Sequence, residues 1–197
     1  MDPVKISSYA AIAMPIFFII ALWVALSHNP WFSLRENALS DMGSLHNPAR
    51  LYFNASLIVM AALGLIASLG AFKSGLSYLM PAAMVSLILV GLFPEETPYH
   101  TPAAVAFYAL ALGDVFIVGL RLGFSGISSG FAWASLSVLA FTAIAYLIRA
   151  GVFRGLAVPE LIGAAVILAW FVYIGLLMLG RPHLFKSAAV ILRRCWR

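Results

Sequence analysis

The sequence predicts an all-α polytopic membrane protein: a bundle of six transmembrane helices with both termini cytoplasmic. Three observations carry this. First, the 197-residue chain is 63% hydrophobic and only 10% charged, with a mean hydropathy of +1.02. A soluble domain of that length has no interior large enough for so much apolar surface, so the solvent is lipid. Second, the apolar runs are continuous rather than alternating, which argues helices and not the strands of a barrel. Third, the basic residues behind the net charge of +5 sit at segment ends and in the tail. That pattern fits the inner face of a membrane, and nucleic acid is not expected as a partner.

The elements follow in order. Six segments approach the length needed to cross hydrocarbon, about 20 helical residues. They lie near Ser8–Ser27, Pro48–Phe72, Ser77–Phe93, Pro102–Leu122, Phe131–Ile148 and Pro159–Gly180. Ala25 and Ser27 give the first a weak cleavage pattern, but it is read as a retained span. Pro48, Pro102 and Pro159 suit a first helical turn, where the missing N–H costs nothing. Asn47 and Thr101 suit N-caps. Pro81 is tolerated if the third helix starts near Ser77, which makes that span short.

Six spans put both termini on one side. That side carries Lys5, Lys73, Arg121, Arg181, Lys186, Arg193, Arg194 and Arg197, against Arg35, Arg50, Arg149 and Arg154 on the other. The excess assigns the termini to the cytoplasm, and the protein is expected to be a multi-pass protein of the cell membrane. Residues 1–181 form one transmembrane domain. Residues 182–197 form a basic tail, with Leu184, Ala188, Ile191, Leu192 and Cys195 at the spacing of an interfacial amphipathic helix. Cys195 is the single cysteine, so no intrachain disulfide forms. Small-residue pairs, Gly64 with Ser68 and Gly119 with Gly123, let helices approach closely within the chain or across an oligomer.

The polar stretch Asn29–Ser44, NPWFSLRENALSDMGS, stands between the first two spans. Ser33-Leu34-Arg35-Glu36 reads as a capping box, which predicts a short helix from Leu34 to Ser40, stopped at Asp41-Met42-Gly43. Alone, this is a capped loop helix; a site requires other polar groups to converge on it. The outer side supplies them: Glu36, Asn37, Ser40, Asp41, Ser44 and His46 from the first loop, and Glu95, Glu96 and His100 from the second. Arg149 and Arg154 come from the third, and Glu160 opens the last span. Such a set holds a phosphate headgroup through Arg149, Arg154 or Arg50. It performs acid–base work through Asp41, Glu95 and His100.

Established hydrolase signatures are missing from the sequence. Glu96 and His100 are four apart, but Pro98 between them argues against a regular metal pair, so neither metal nor cofactor is expected. Two polar residues lie deeper. Asn54 is about a turn inside the second span. Asp114 is just past the middle of the fourth, where a charge costs at least ~2.5 kcal/mol, so it is a functional acid, or is protonated, or is paired with Arg121 or a helix-end lysine.

The segments ENALSDMGS, NPARLYFN and GLFPEETPYHTPAA together resemble one family. It is an archaeal and bacterial six-helix membrane family catalogued as domain of unknown function nine-nine-eight, distantly similar to the FRAG/DRAM/SFK superfamily. The resemblance maps onto Ser40, Asp41, Gly43, Pro48, Phe53, Asn54, Gly91, Phe93, Pro94 and His100. What the superfamily implies is lipid-related work: remodelling of glycolipid anchors, phosphoinositide-linked membrane organisation and autophagy.

The leading expectation is therefore a protein that binds or modifies membrane lipid at a polar pocket opening to the outer leaflet. Asp41 and His100 are its candidate acid and base. Ser40, Asn54, Glu95, Glu96, Arg149 and Arg154 are its candidate ligand-binding residues. Membrane lipids are the expected partners. The rivals are a small-solute or proton-coupled transporter using Asp114 as its intramembrane acid, and a non-catalytic membrane-organising scaffold.

Overall fold

The computed structural model describes residues 2–180. The expected amphipathic tail at 182–197 lies outside the described residues. Six helices follow in order: α1 Pro3–Ser27, α2 Arg50–Lys73, α3 Met80–Leu92, α4 His100–Phe124, α5 Ser129–Ala150 and α6 Ala157–Gly180. Five are long and apolar enough to cross a membrane. Each packs on its neighbours in sequence, and α6 returns to α1, so the bundle closes as a ring. Both ends of the described chain lie at the same face, the one the basic residues assign to the cytoplasm. The core is built on α6, whose Trp170, Phe171 and Ile174 are fully buried against Met14, Met84 and Val115.

The third span is the main departure from expectation. Its helix has 13 residues, about 20 Å at ~1.5 Å per residue, too short for a hydrocarbon layer of ~30 Å. Residues 74–79 are non-helical, and Ser74, Leu76 and Ser77 among them are buried. Pro81 is thereby explained: it sits in the first turn of α3.

Irregular backbone at membrane depth survives only if its polar groups find protein partners. Here they find Asp114. Its Oδ1 accepts from the Tyr78 N–H at 2.5 Å and the Leu79 N–H at 2.6 Å, so a side chain of α4 caps the start of α3. The expected Asp114–Arg121 pair does not form. Arg121 instead donates to the Gly75 carbonyl and the Tyr78 hydroxyl, and lies over the Tyr78 ring. Both residues thus hold the same loop, one from each end.

The expected caps also differ. α2 starts at Arg50, two residues beyond Pro48. Asn47 takes the Ala49 N–H, but its amide donates to Asn29 Oδ1 and the Met42 carbonyl, both at 2.7 Å. It ties the first loop together from a buried position. Thr101 lies inside α4. The small-residue pairs are used within the chain: Gly64 faces Met84 and Met14, and Gly119 faces Gly130 and Ala134.

Candidate functional site

α4 and α5 meet backbone to backbone toward the inner face. A methyl on Gly119 meets the Ala134 nitrogen and the Gly130 carbonyl at 2.8 Å. Ser137 clamps the contact by donating to the Leu112 carbonyl at 2.6 Å. Farther out the two helices part, and a cavity of about 700 Å³ lies between them and the start of α6. Its walls are apolar stripes at helical spacing, Ala104, Val105, Tyr108, Ala109 and Leu112 on α4, and Phe141, Ile144, Ala145 and Ile148 on α5. Val105, Phe141 and Ile148 are more than half exposed, so the cavity is a cleft that opens sideways onto the lipid-facing surface.

The outer loops cap this cleft. The helix expected over Leu34–Ser40 is replaced by a 3-10 helix at Leu39–Gly43, starting where the expected helix was to stop. The Ser33 N–H, expected to go to Glu36, donates instead to the Asn37 side chain at 2.9 Å. Asp41, not Glu36, makes the capping contact, accepting from the Ala38 N–H at 3.1 Å and the Asn37 amide at 2.9 Å. Glu36 is turned outward to Arg154. The third outer loop then docks on the first through backbone bonds. Arg154 and Gly155 donate to the Arg35 carbonyl, and Ala157 donates to the Asn37 carbonyl at 2.9 Å. Glu160 completes the joint by accepting the Leu39 N–H at 2.6 Å.

These contacts bring Ser40, Asp41, Glu95, Glu96, His100 and Glu160 to one cavity. The Glu95 carboxyl lies beside the Asp41 carboxylate, and Ser40 lines the same cleft. The Glu95 pKa is pushed up to about 7, first by partial burial, then by the Asp41 carboxylate beside it, with Glu96 adding repulsion. Glu96 moves the other way: the Ser44 hydroxyl and the Leu45 N–H hold it ionised. His100 is buried and bonds through Nδ1 to the Phe93 carbonyl at 2.7 Å. No hydrogen bond joins it to Asp41, although both line the cleft.

The remaining expected residues stand elsewhere. Asn54 donates to the Gly43 carbonyl at 3.0 Å and braces the 3-10 helix from behind, outside the cleft lining. Arg149 is exposed at the end of α5 and Arg154 pairs with Glu36. Arg50 donates to the Leu45 carbonyl. None of the three lines the cleft, so the expected arginine clamp for a phosphate is not assembled there. Asp114 is fully buried and also outside it. Among the described residues, no group of three or more His, Cys, Asp or Glu side chains is placed to hold a metal ion.

A family model described as "Protein of unknown function (DUF998)" matches residues 11–177, from the first helix to the last. The chain belongs to this family. No curated protein and no solved structure matches the chain. The residues that carry the family resemblance are neighbours in space. Gly43 lies against the Asn54 side chain, Gly91 approaches the Asn54 carbonyl, and Phe93 bonds His100. In this family member they form one brace that sets the height of the 3-10 helix over the cleft.

Glu160 was gathered with the outer polar residues but given no role, because it reads as an ordinary acid in a first helical turn, where the dipole favours one. Tyr108 reads as one more aromatic in an apolar span. The available signal was spacing: His100, Ala104 and Tyr108 recur every four residues on one face of α4. Tyr108 donates to the Glu160 carbonyl at 3.1 Å, joining α4 to α6 below the acids.

The Glu95–Asp41 contact has a measurable consequence. A carboxyl whose pKa is raised on folding stabilises the protein below its unfolded value, and that contribution is lost as pH rises through the folded value. For Glu95 the window runs from 4.5 to about 7. Asp41, Glu96 and Glu160 face it across the cap, and Glu96, with a lowered pKa, acts in the opposite sense at lower pH. Thermal unfolding of Glu95→Gln is expected to lose the part of the decline that falls in this window. A midpoint-against-pH curve parallel to that of the wild type counts against the contact.

Proposed function

We propose that this protein binds a membrane lipid in the α4–α5 cleft, as a multi-pass protein of the cell membrane. The acyl chain lies along the apolar stripes, and the headgroup sits under the outer loops against Asp41, Glu95, His100 and Glu160. One observation carries the reading: a cavity of about 700 Å³ combines apolar walls open to lipid with a polar end beneath the outer loops. A cavity for a polar solute would have polar walls as well. The lipid-related work implied by the resemblance to the FRAG/DRAM/SFK superfamily points the same way. The transport alternative rests on the buried, unpartnered Oδ2 of Asp114 alone, since Oδ1 is committed to the backbone N–H groups of residues 78 and 79 and the residue stands outside the cleft.

Filling the cleft tests this. Ala109 and Ala145 face each other's helices across it and are not part of the buried core. The double variant Ala109→Trp/Ala145→Trp is expected to fold as the wild type does and to lose the lipid that co-purifies with it, read by native mass spectrometry. Undiminished lipid in a folded double variant places the lipid elsewhere.

A further inference from the structure

The polar cap of the cleft is one-sided in charge and in hydrogen-bonding sense. Four carboxyls line it, Asp41, Glu95, Glu96 and Glu160, and among the described residues no lysine or arginine does. The N-termini of α4 and α6 point toward the same face, but each offsets only about half an elementary charge. The acids are therefore balanced by no basic side chain of the cleft lining.

Few donors line the cleft, and the Tyr108 hydroxyl among them already serves the Glu160 carbonyl. His100 Nδ1 faces a carbonyl, which only accepts, so Nδ1 carries the hydrogen. In the neutral ring that leaves Nε2 as a lone-pair acceptor, turned away from Phe93 on a side chain only 8% exposed. Nε2 has no partner among the described residues, and His100 lines the cleft. The acids likewise keep acceptor capacity. The Leu39 N–H takes one oxygen of Glu160, and Asn37 and Ala38 take one oxygen of Asp41. Thr101, exposed at the rim, is left with a hydroxyl to donate.

We propose that the cleft selects an amphiphile whose headgroup is a protonated amine, donating N–H bonds to these acids and to His100 Nε2. This rests on the lipid reading above and specifies its headgroup. An ammonium brings positive charge and three donors to a site that offers negative charge and acceptors. A phosphate without an amine brings the reverse of both. The chemistry has two sources, a membrane lipid ending in a primary amine or a free long-chain amine.

The test uses full-length protein in phosphatidylcholine nanodiscs, whose quaternary headgroup has no N–H. Dodecylamine, dodecanol and dodecyl phosphate are added separately, and bound adducts are compared by native mass spectrometry. In a second arm the discs are doped with phosphatidylethanolamine or phosphatidylglycerol. Dodecylamine is expected to be retained about tenfold or more over the chain-matched alcohol, with the phosphate weakest. Glu95→Gln and Glu160→Gln, which keep an acceptor oxygen at each position, are expected to reduce that ratio severalfold. Selective retention of phosphatidylethanolamine identifies a membrane lipid as the source, whereas retention of dodecylamine alone identifies a free amine. Equal retention of amine and alcohol, both lost in Ala109→Trp/Ala145→Trp, overturns the amine proposal and leaves the lipid reading standing. Preference for the phosphate overturns it too. Retention of no amphiphile overturns both.

Discussion

Asp114→Leu is expected to destabilise the protein by about 2–6 kcal/mol, because it strands two buried backbone N–H groups at ~1–3 kcal/mol each. Those groups belong to Tyr78 and Leu79, and no other acceptor is assigned to them. The loop they belong to replaces the inner part of a transmembrane helix, so water is not available as a substitute. Leucine keeps the branched shape of aspartate and is apolar, but its methyls are bulkier than carboxylate oxygens, so crowding in this fully buried site adds to the lost capping. Asp114→Asn separates this from an ionic role. Asparagine keeps one acceptor oxygen where Oδ1 stands, so it is expected to retain more than half of the stability that leucine loses. Chemical unfolding in detergent, followed by tryptophan fluorescence, reads both variants. If asparagine is as damaging as leucine, the charge matters and the capping account fails. If leucine is harmless, the loop has another acceptor.

Gly155→Val is expected to part the first and third outer loops, with a loss of about 2–4 kcal/mol and of bound lipid. A side chain at 155 runs into the backbone of Asn37, which has no flexible end to move aside. Separation breaks the bonds from Arg154, Gly155 and Ala157, each contributing roughly 0.5–1.5 kcal/mol. It also pulls Glu160 from the Leu39 N–H, so the cleft loses one wall of its cap. Arg154→Ala is the control. It removes only the exposed ion pair with Glu36, at 3.3 Å, and is expected to change stability little. Thermal unfolding together with lipid co-purification measures both effects. A valine variant that unfolds with the wild type shows that the loops are held together by something other than this backbone joint.

The two variants bear on places where the sequence and the fold diverge most. At 33–43 the sequence offers two acids at capping spacing, Glu36 after Ser33 and Asp41 after Ala38. Local rules favour the first because serine is the better cap. The second wins because Asn37 and Leu39 are held from outside, by the third loop and by Glu160, which no local window contains. The third span shows the same limit. Its apolar run reads as one helix from Ser77, yet residues 77–79 are non-helical, and the cap that receives the Tyr78 and Leu79 N–H groups is an acid 36 and 35 residues later.

The sequence by itself determined the solvent, the helical class, the number and order of apolar segments, and the gathering of acids on the outer face. These depend on composition and on periodicity within a segment, and hydrocarbon enforces both because it offers no partner to a free backbone group. Tertiary structure alone decided which acids share a cavity, that the arginines stand outside it, and that Asp114 is a cap. Those outcomes depend on where α4 and α5 cross. Gly119, Gly123 and Gly130 fix the crossing at the inner end, and the width of the cleft at the outer end follows from contacts between residues far apart in the chain.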